Sequence, residues 1–306
     1  MLNNKKAQIF TLIAIAIIML FFVSYEIYST IQERLVIKTR VKTMDSFLFS
    51  LEQDLVRKLY ISGFRAVFLA ENEITKSGRY ISNFSSFFSE AVFQGTINGI
   101  SSDIMEGATI SDITTSMQDK AAKMNLLVSL SDISVSVGQE DPWNIVVYLN
   151  ATLNLTDKGN LARWYKNETI KSFVSIEGFE DPLYLINTAG KVTRKIYRTP
   201  YEGNYVSGGD ITNLSLHIEG RHYTSHNDAP GFIKRLEGNN SADNAGIESF
   251  VYIPELSAQG LQVQEKSCVD YIYFSSSNPT SSQVSGLPAW FWIDNAHKTK
   301  YQIGGS

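Results

Sequence analysis

The feature that most constrains this chain is residues 9–23, IFTLIAIAIIMLFFV, in which Thr11 is the only polar side chain. At about 1.5 Å per residue, the stretch from Ala7 to Tyr25 is just long enough to cross a hydrocarbon core of roughly 30 Å. A soluble helix needs an apolar stripe on one side only, so a run apolar all round predicts a membrane span. Tyr25 and Tyr28 stand where an aromatic belt would lie. A cleaved secretory signal would show small residues of the A-x-A kind after the run, and none are present. The helical pattern continues instead. Ile27 and Ile31 lead into Val41, Met44, Leu48, Leu51 and Leu55, spaced as one face of a helix. That stripe is expected to pack on protein, either the chain's own domain or sister subunits.

Composition bounds the rest. With 306 residues, 19% charged and 43% hydrophobic, the chain can build a sizeable core and is not a polytopic membrane protein. A formal net charge of −4 argues against a nucleic-acid partner. Cys268 is the single cysteine, so no intrachain disulfide forms, and it reads as a small buried hydrophobe. An outward-facing domain without disulfides fits a prokaryotic envelope better than a eukaryotic secretory route.

The leader before the run reads Lys5-Lys6-Ala7-Gln8. A short basic leader followed by an apolar helix that turns amphipathic resembles the class III, type IV pilin-like signal segment of archaeal surface proteins. The resemblance covers roughly the first 30 residues. It implies a cut between Ala7 and Gln8 by a prepilin-type peptidase on the cytoplasmic side. Where that family often carries Glu at the fifth mature position, this chain has Leu12. Lys5 and Lys6 favour an inside N-terminus, while Arg34, Lys38, Arg40 and Lys42 pull the other way. The leader, together with N-x-S/T sequons at Asn83, Asn150, Asn154, Asn167, Asn213 and Asn239, decides for N-in, C-out at the cell membrane.

The expected fold class is α+β, with a basic leader over 1–7, a transmembrane helix over 8–28, an amphipathic helical stalk over 29–76 and an antiparallel β-rich extracytoplasmic domain over 77–306. A kink is expected at Ser62-Gly63. Residues 85–94 form a short aromatic helix, and Thr109 caps another that carries Ile110, Ile113, Met117, Ala121 and Met124 on one face. Alternation at Val147, Leu149, Ala151, Leu153 and Leu155 predicts a half-buried strand. Its wet face would carry Asn150, Thr152, Asn154 and Thr156. Ile133, Val135 and Val137, then Ile170, Val174 and Ile176, supply its neighbours. Strands are expected at 184–187, 191–197, 215–218, 246–253 and 269–274, and a short helix at 230–237, bounded by Pro230 and Gly238. Trp290 and Trp292 read as core anchors. The echo of VSVGQEDPW at 135–143 in VSIEGFEDPL at 174–183 puts Glu140, Asp141, Glu180 and Asp181 at two similar turns. Such acids could share a Ca²⁺-binding rim, though two strand ends with the same turn chemistry explain them as well.

The signatures of P-loop nucleotide hydrolysis, G-x-S-x-G esterases and H-E-x-x-H zincins are all missing. The best constellation is His217, Glu219, His222, His226 and Asp228. His222 and His226 would share a face if helical, at zinc spacing, but RHYTSHND reads as a loop. No cofactor and no catalytic residue are expected. The leading expectation is a membrane-anchored surface structural or interaction protein, pilin-like or adhesin-like. Its partners would be the lipid bilayer and sister subunits or other surface proteins. A tethered ligand-binding or sensory module is the alternative, and a metal-dependent ectoenzyme built on His217, His222, His226 and Asp228 the second.

Overall fold

The computed structural model describes residues 2–303, with side chains from residue 8 onward. The side chains of the leader, Ala7 of the processing pair among them, lie outside the described residues. The chain opens with one helix, α1 (Leu2–Ser77), unbroken for 76 residues. Its apolar run is bare: Phe10 is 80% exposed and Leu12 71%. From Gln8 onward this helix is long and apolar enough to cross a membrane by length and composition. Burial begins at Met44 and recurs at Phe47, Leu48, Leu51, Leu55 and Leu59, the stripe anticipated from spacing. α1 stays helical through Ser62-Gly63, where a kink was expected. Gly63 has a packing role instead. A Cβ there would lie 2.7 Å from a Val147 methyl and 3.2 Å from one of Val174. The missing side chain lets two strands approach the helix backbone.

The remaining elements are α2 (Phe84–Gln94), β1 (Thr96–Ile97), β2 (Ile100–Ser101), α3 (Ile110–Lys123), β3 (Leu126–Asp141), β4 (Asn144–Asp157), β5 (Arg163–Ser175), α4 (Pro182–Asn187), α5 (Thr212–Glu219), β6 (Tyr223–Ser225), α6 (Phe232–Leu236), β7 (Ile247–Ser249), α7 (Ile253–Ala258), α8 (Asp270–Tyr273), β8 (Ser281–Gln283), β9 (Trp292–Asp294) and α9 (Asn295–Lys300). The fold is thus α+β, with antiparallel pairing in β1–β2, β6–β7 and β8–β9 and a three-stranded meander in the order β3-β4-β5.

The chain divides into two compact units. The first holds Met1–Asp54, Thr115–Ser131 and Thr152–Asn167; the second holds Leu55–Thr114, Asp132–Ala151 and Glu168–Ser306. In the first, ion pairs fasten α1 to what surrounds it. Arg40 pairs with Asp157 and donates to the carbonyls of Met124 and Asn125 at 2.9 and 2.8 Å. Lys120 meets Asp54 at 2.6 Å, and Lys166 meets Glu52 at 3.1 Å. In the second unit, caps define the helices. Asn83 caps α2 by accepting from the Ser86 amide at 2.8 Å. Thr109 and Asp112 form a reciprocal capping box: the Asp112 amide donates to Thr109 Oγ1 at 3.2 Å, and the Thr109 amide to Asp112 Oδ2 at 3.1 Å. Ile110, Ile113, Met117 and Ala121 are buried as their spacing required, while Met124 is exposed.

β4, flanked on both sides, buries Val147, Leu149, Ala151, Leu153 and Leu155. Its other face is less wet than alternation implied. Thr152 is buried and donates to Asn167 Oδ1 at 3.0 Å, because a central strand has neighbours' side chains over both faces.

After residue 176 the strand-dense reading fails in three places. Residues 184–187, 215–218 and 269–274, expected as strands, fall in or around the helices α4, α5 and α8. Apolar runs of four to six residues do not separate a buried strand from a buried helix, and local capping decides. Asp181 accepts from the Leu183 amide at 2.9 Å with Pro182 in the first turn. Asp210 accepts from the Thr212 amide at 2.9 Å just before α5. Residues 191–197 contribute only an isolated bridge, Glu180 to Lys195. The helix expected at 230–237 is present as α6, closed by Gly238 at φ 69°.

The two Glu-Asp-Pro echoes part company. Asp141 forms a side-chain turn within the β3–β4 hairpin, accepting from the Trp143 amide at 2.8 Å. Asp181 is fully buried and paired with Arg235. Glu140, Asp141, Glu180 and Asp181 therefore form no common rim for Ca²⁺.

Glu71, on the second-unit part of α1, accepts from the Glu180 amide. Burial, aided by the Glu180 charge, pushes its carboxyl from 4.5 up to about 8. Below pH 4.5 both folded and unfolded chains hold this proton. Between 4.5 and about 8 only the folded chain does, so stability falls as pH rises through that window. Glu71→Gln is expected to raise the melting temperature at pH 8 and leave it unchanged at pH 4. An equal shift at both values would remove this account of Glu71.

Candidate functional site

The site grows from the two-stranded ribbon of β6 and β7. Their antiparallel register pairs Tyr223 with Ser249, Thr224 with Glu248 and Ser225 with Ile247. Side chains alternate along a strand, so Thr224 and Glu248 share a face, and His226, two residues beyond Thr224, joins them. The His226 amide donates to the Gly246 carbonyl at 2.9 Å, extending the ribbon by one step. Gly246 is obligatory for this. A Cβ there would sit 2.2 Å from the carbonyl oxygens of both His226 and Ala229.

The third member arrives from the far end of the chain. Asp294 ends β9 and caps α9, accepting from the His297 amide at 3.2 Å. The same carboxylate takes His297 Nδ1 at 2.8 Å. That leaves His297 Nε2 facing Glu248 Oε2 at 3.1 Å, with His226 Nδ1 on the same oxygen at 2.6 Å. Tyr271 Oη lies 3.1 Å from His297 Nε2. Asp228, 79% exposed, stands 3.7 Å from the outer nitrogen of His226.

Burial opposes the charges on Glu248, His297 and Asp294, and their mutual pairing overcomes it. Burial would raise the Glu248 carboxyl, yet the bonds from His226 and His297 hold it down at about 2. Burial would lower His297, yet Asp294 and Glu248 lift it to about 10. Asp294 is held well below the usual carboxylate range, against burial, chiefly by His297 and Ser267. Glu248 Oε1 is buried and has no hydrogen-bond partner among the described residues.

The other face of β7 carries a second buried network. Arg235, on α6, is fully buried and satisfies all five N–H groups. Nε donates to the Pro230 carbonyl at 3.3 Å, and Nη1 to Asp181 at 2.6 Å and Asp270 at 3.0 Å. Nη2 donates to Asp270 at 3.2 Å and to the Ile247 carbonyl. Asp270 also accepts from the amide and hydroxyl of Ser249, at 3.0 and 2.8 Å, and Asp181 from the Tyr223 hydroxyl at 2.8 Å.

The histidines singled out from sequence fall into two groups: His217 and His222 lie together, with ring centroids 6.3 Å apart, while His226 stands with Asp228. His217 lies buried on α5 among Tyr205, Phe250 and Tyr301, with Nδ1 3.0 Å from Thr199 Oγ1, and burial lowers its imidazole to about 3. His222 stacks edge-on with Tyr201. His222 and His226 bracket β6, so extended chain carries them roughly 13 Å apart rather than onto one helical face. His226 and Asp228 stay together, and the partners that complete the cluster, Glu248, His297 and Asp294, come from distant parts of the chain. One local signal was available: Asp294-x-x-His297 is N-cap spacing. Cys268 is buried, as expected, and burial pushes its thiol up to about 12.

The sequons spread over the surface. Asn83, Asn150, Asn167 and Asn239 are exposed, while Asn154 and Asn213 are half-buried. A hollow of about 390 Å³ opens elsewhere, with Glu73, Arg79, Tyr80 and Glu90 in its lining and no imidazole among them.

Comparison with family models, with characterised proteins and with solved structures gave no match. Function is therefore argued from geometry alone. Two imidazoles and a carboxylate converging at hydrogen-bond range can hold a divalent cation or form a dry charge relay.

Removing Arg235 would strand two buried carboxylates. Arg235→Met is expected to cost about 3–5 kcal/mol in urea denaturation at neutral pH. Gly246→Ala should disturb the His226 ring environment by NMR well before it affects the first unit; unaltered His226 resonances would contradict the steric assignment.

Proposed function

We propose that this chain is a single-pass, membrane-anchored surface protein, pilin-like in plan. Its α1 would sit with its N-terminus inside, its apolar part in the bilayer and the remaining domain outside. The observation that carries the reading is the division of α1 into an all-round apolar, exposed half and a half buried along one stripe.

Length sharpens it. Residues 8–43 measure roughly 54 Å at about 1.5 Å per residue, well beyond a core of roughly 30 Å. Ile31, Leu35 and Val36 lie past the span and are still exposed. A second copy of α1 alongside would cover them, which favours a structural or interaction role shared with sister subunits over a lone tether.

Mass spectrometry of the protein from its native membrane tests leader and topology together. A mature N-terminus at Gln8 and glycans on external asparagines are expected. An intact Met1 with bare sequons would reject the pilin-like leader, and recovery in the soluble fraction would reject the anchor. Occupancy should follow access to the amide nitrogen. Asn83, Asn167 and Asn239 are expected to exceed Asn213, whose nitrogen donates to the Asn204 carbonyl at 2.9 Å, and the half-buried Asn154, whose Oδ1 accepts from Arg163 at 2.9 Å.

A further inference from the structure

We infer that His226, Glu248 and His297 form a binding site for a zinc-class divalent cation. The inference is independent of the membrane reading, since it rests on the second unit alone.

The donor set comes first. One ligand atom from each residue, His226 Nδ1, a Glu248 carboxylate oxygen and His297 Nε2, lies within 4.8 Å of the other two. Bonds of about 2.0–2.1 Å in a tetrahedron place neighbouring ligand atoms roughly 3.3–3.5 Å apart. The two contacts to Glu248 Oε2, 2.6 and 3.1 Å, both fall short of that spacing, as hydrogen bonds do. Small side-chain rotations would open it. Two imidazoles and one carboxylate are ligands of the zinc type, whereas Ca²⁺ and Mg²⁺ prefer oxygen throughout.

The surroundings are those of a ligand cage. Asp294 takes the Nδ1 hydrogen of His297 and holds the ring with Nε2 towards Glu248, so a cation would bind Nε2 by displacing the proton that Nε2 shares with that carboxylate. Asp228 stands beside the outer nitrogen of His226 in the same supporting position. Tyr271 Oη, 3.1 Å from His297 Nε2, is the nearest further oxygen to complete the shell or to bond a bound water. His226 is partly exposed and gives the ion a way in, while Glu248 and His297 are buried.

An independent observation points the same way. Glu248 is fully buried, yet its Oε1 makes no hydrogen bond of good geometry among the described residues, although the buried Tyr301 hydroxyl stands beside this carboxylate. A buried carboxylate oxygen left unpaired is costly. A cation bound through both Glu248 oxygens would satisfy Oε1 as well as the Oε2 that faces the imidazoles.

The test uses the full chain in detergent, stripped with chelator and titrated with Zn²⁺ and Co²⁺. One equivalent of Zn²⁺ per chain is expected. Co²⁺ should give visible absorption of four-coordinate intensity with imidazole ligation. Glu248→Gln should abolish uptake. Asp294→Asn should weaken it by about 10–100-fold, as loss of a supporting carboxylate does. His222→Gln, outside the cluster, should bind as the unmodified chain. Since a buried substitution can prevent folding, His226→Gln at the most exposed ligand serves as the second variant and should also lose stoichiometric uptake. A folded, unmodified chain that takes up no stoichiometric Zn²⁺ at micromolar concentration overturns the inference. So does full uptake by a folded His226→Gln, or a Co²⁺ spectrum without nitrogen ligation.

Discussion

The second unit depends on one buried cation. Arg235 is held by two carboxylates and two carbonyls, with no N–H left over. A guanidinium fully out of water is tolerable only when paired and saturated, and this one is. Through it the cap of α4 (Asp181), the start of α8 (Asp270), the strand β7 (Ile247) and the entry to α6 (Pro230) are tied to a single side chain. These are short elements that would have little stability alone. Without a disulfide to staple them, a polar hub supplies the cross-links.

The long helix answers to a different solvent. Before residue 40 its apolar side chains face outward all round; after Met44 only one stripe is covered. The change follows from composition: the early run has no charge to keep it in water, while the later stretch carries Arg, Lys, Asp and Glu on its open side. Gly63 extends the same logic, with a side chain omitted where strands come closest.

Much of this was readable in advance. The bare helix, the stripe, the Thr109 capping box and the alternation in β4 are local patterns repeated over many residues. The short elements after 176 were not, because a few apolar residues fit strand or helix until a cap such as Asp181 decides. The candidate site was hidden for another reason. Glu248 lies 22 residues from His226 and 49 from His297, and only the β6–β7 register and the α9 cap bring them together. His217 and His222 are close in sequence and in space, but no carboxylate joins their ring contact, whereas His226 and His297 converge on Glu248.

β7 is only three residues long, yet its two faces carry opposite requirements. Glu248 belongs with imidazoles; Ile247 and Ser249 belong with Arg235 and Asp270. A slip of one residue in pairing would turn Glu248 onto the face that already holds two aspartates, setting three carboxylates against one guanidinium, and would leave the histidines with an apolar or hydroxyl neighbour. Hydrophobic strands reject misregister weakly when they are this short. Here charge enforces the register, so the ribbon is proofread by electrostatics rather than by length.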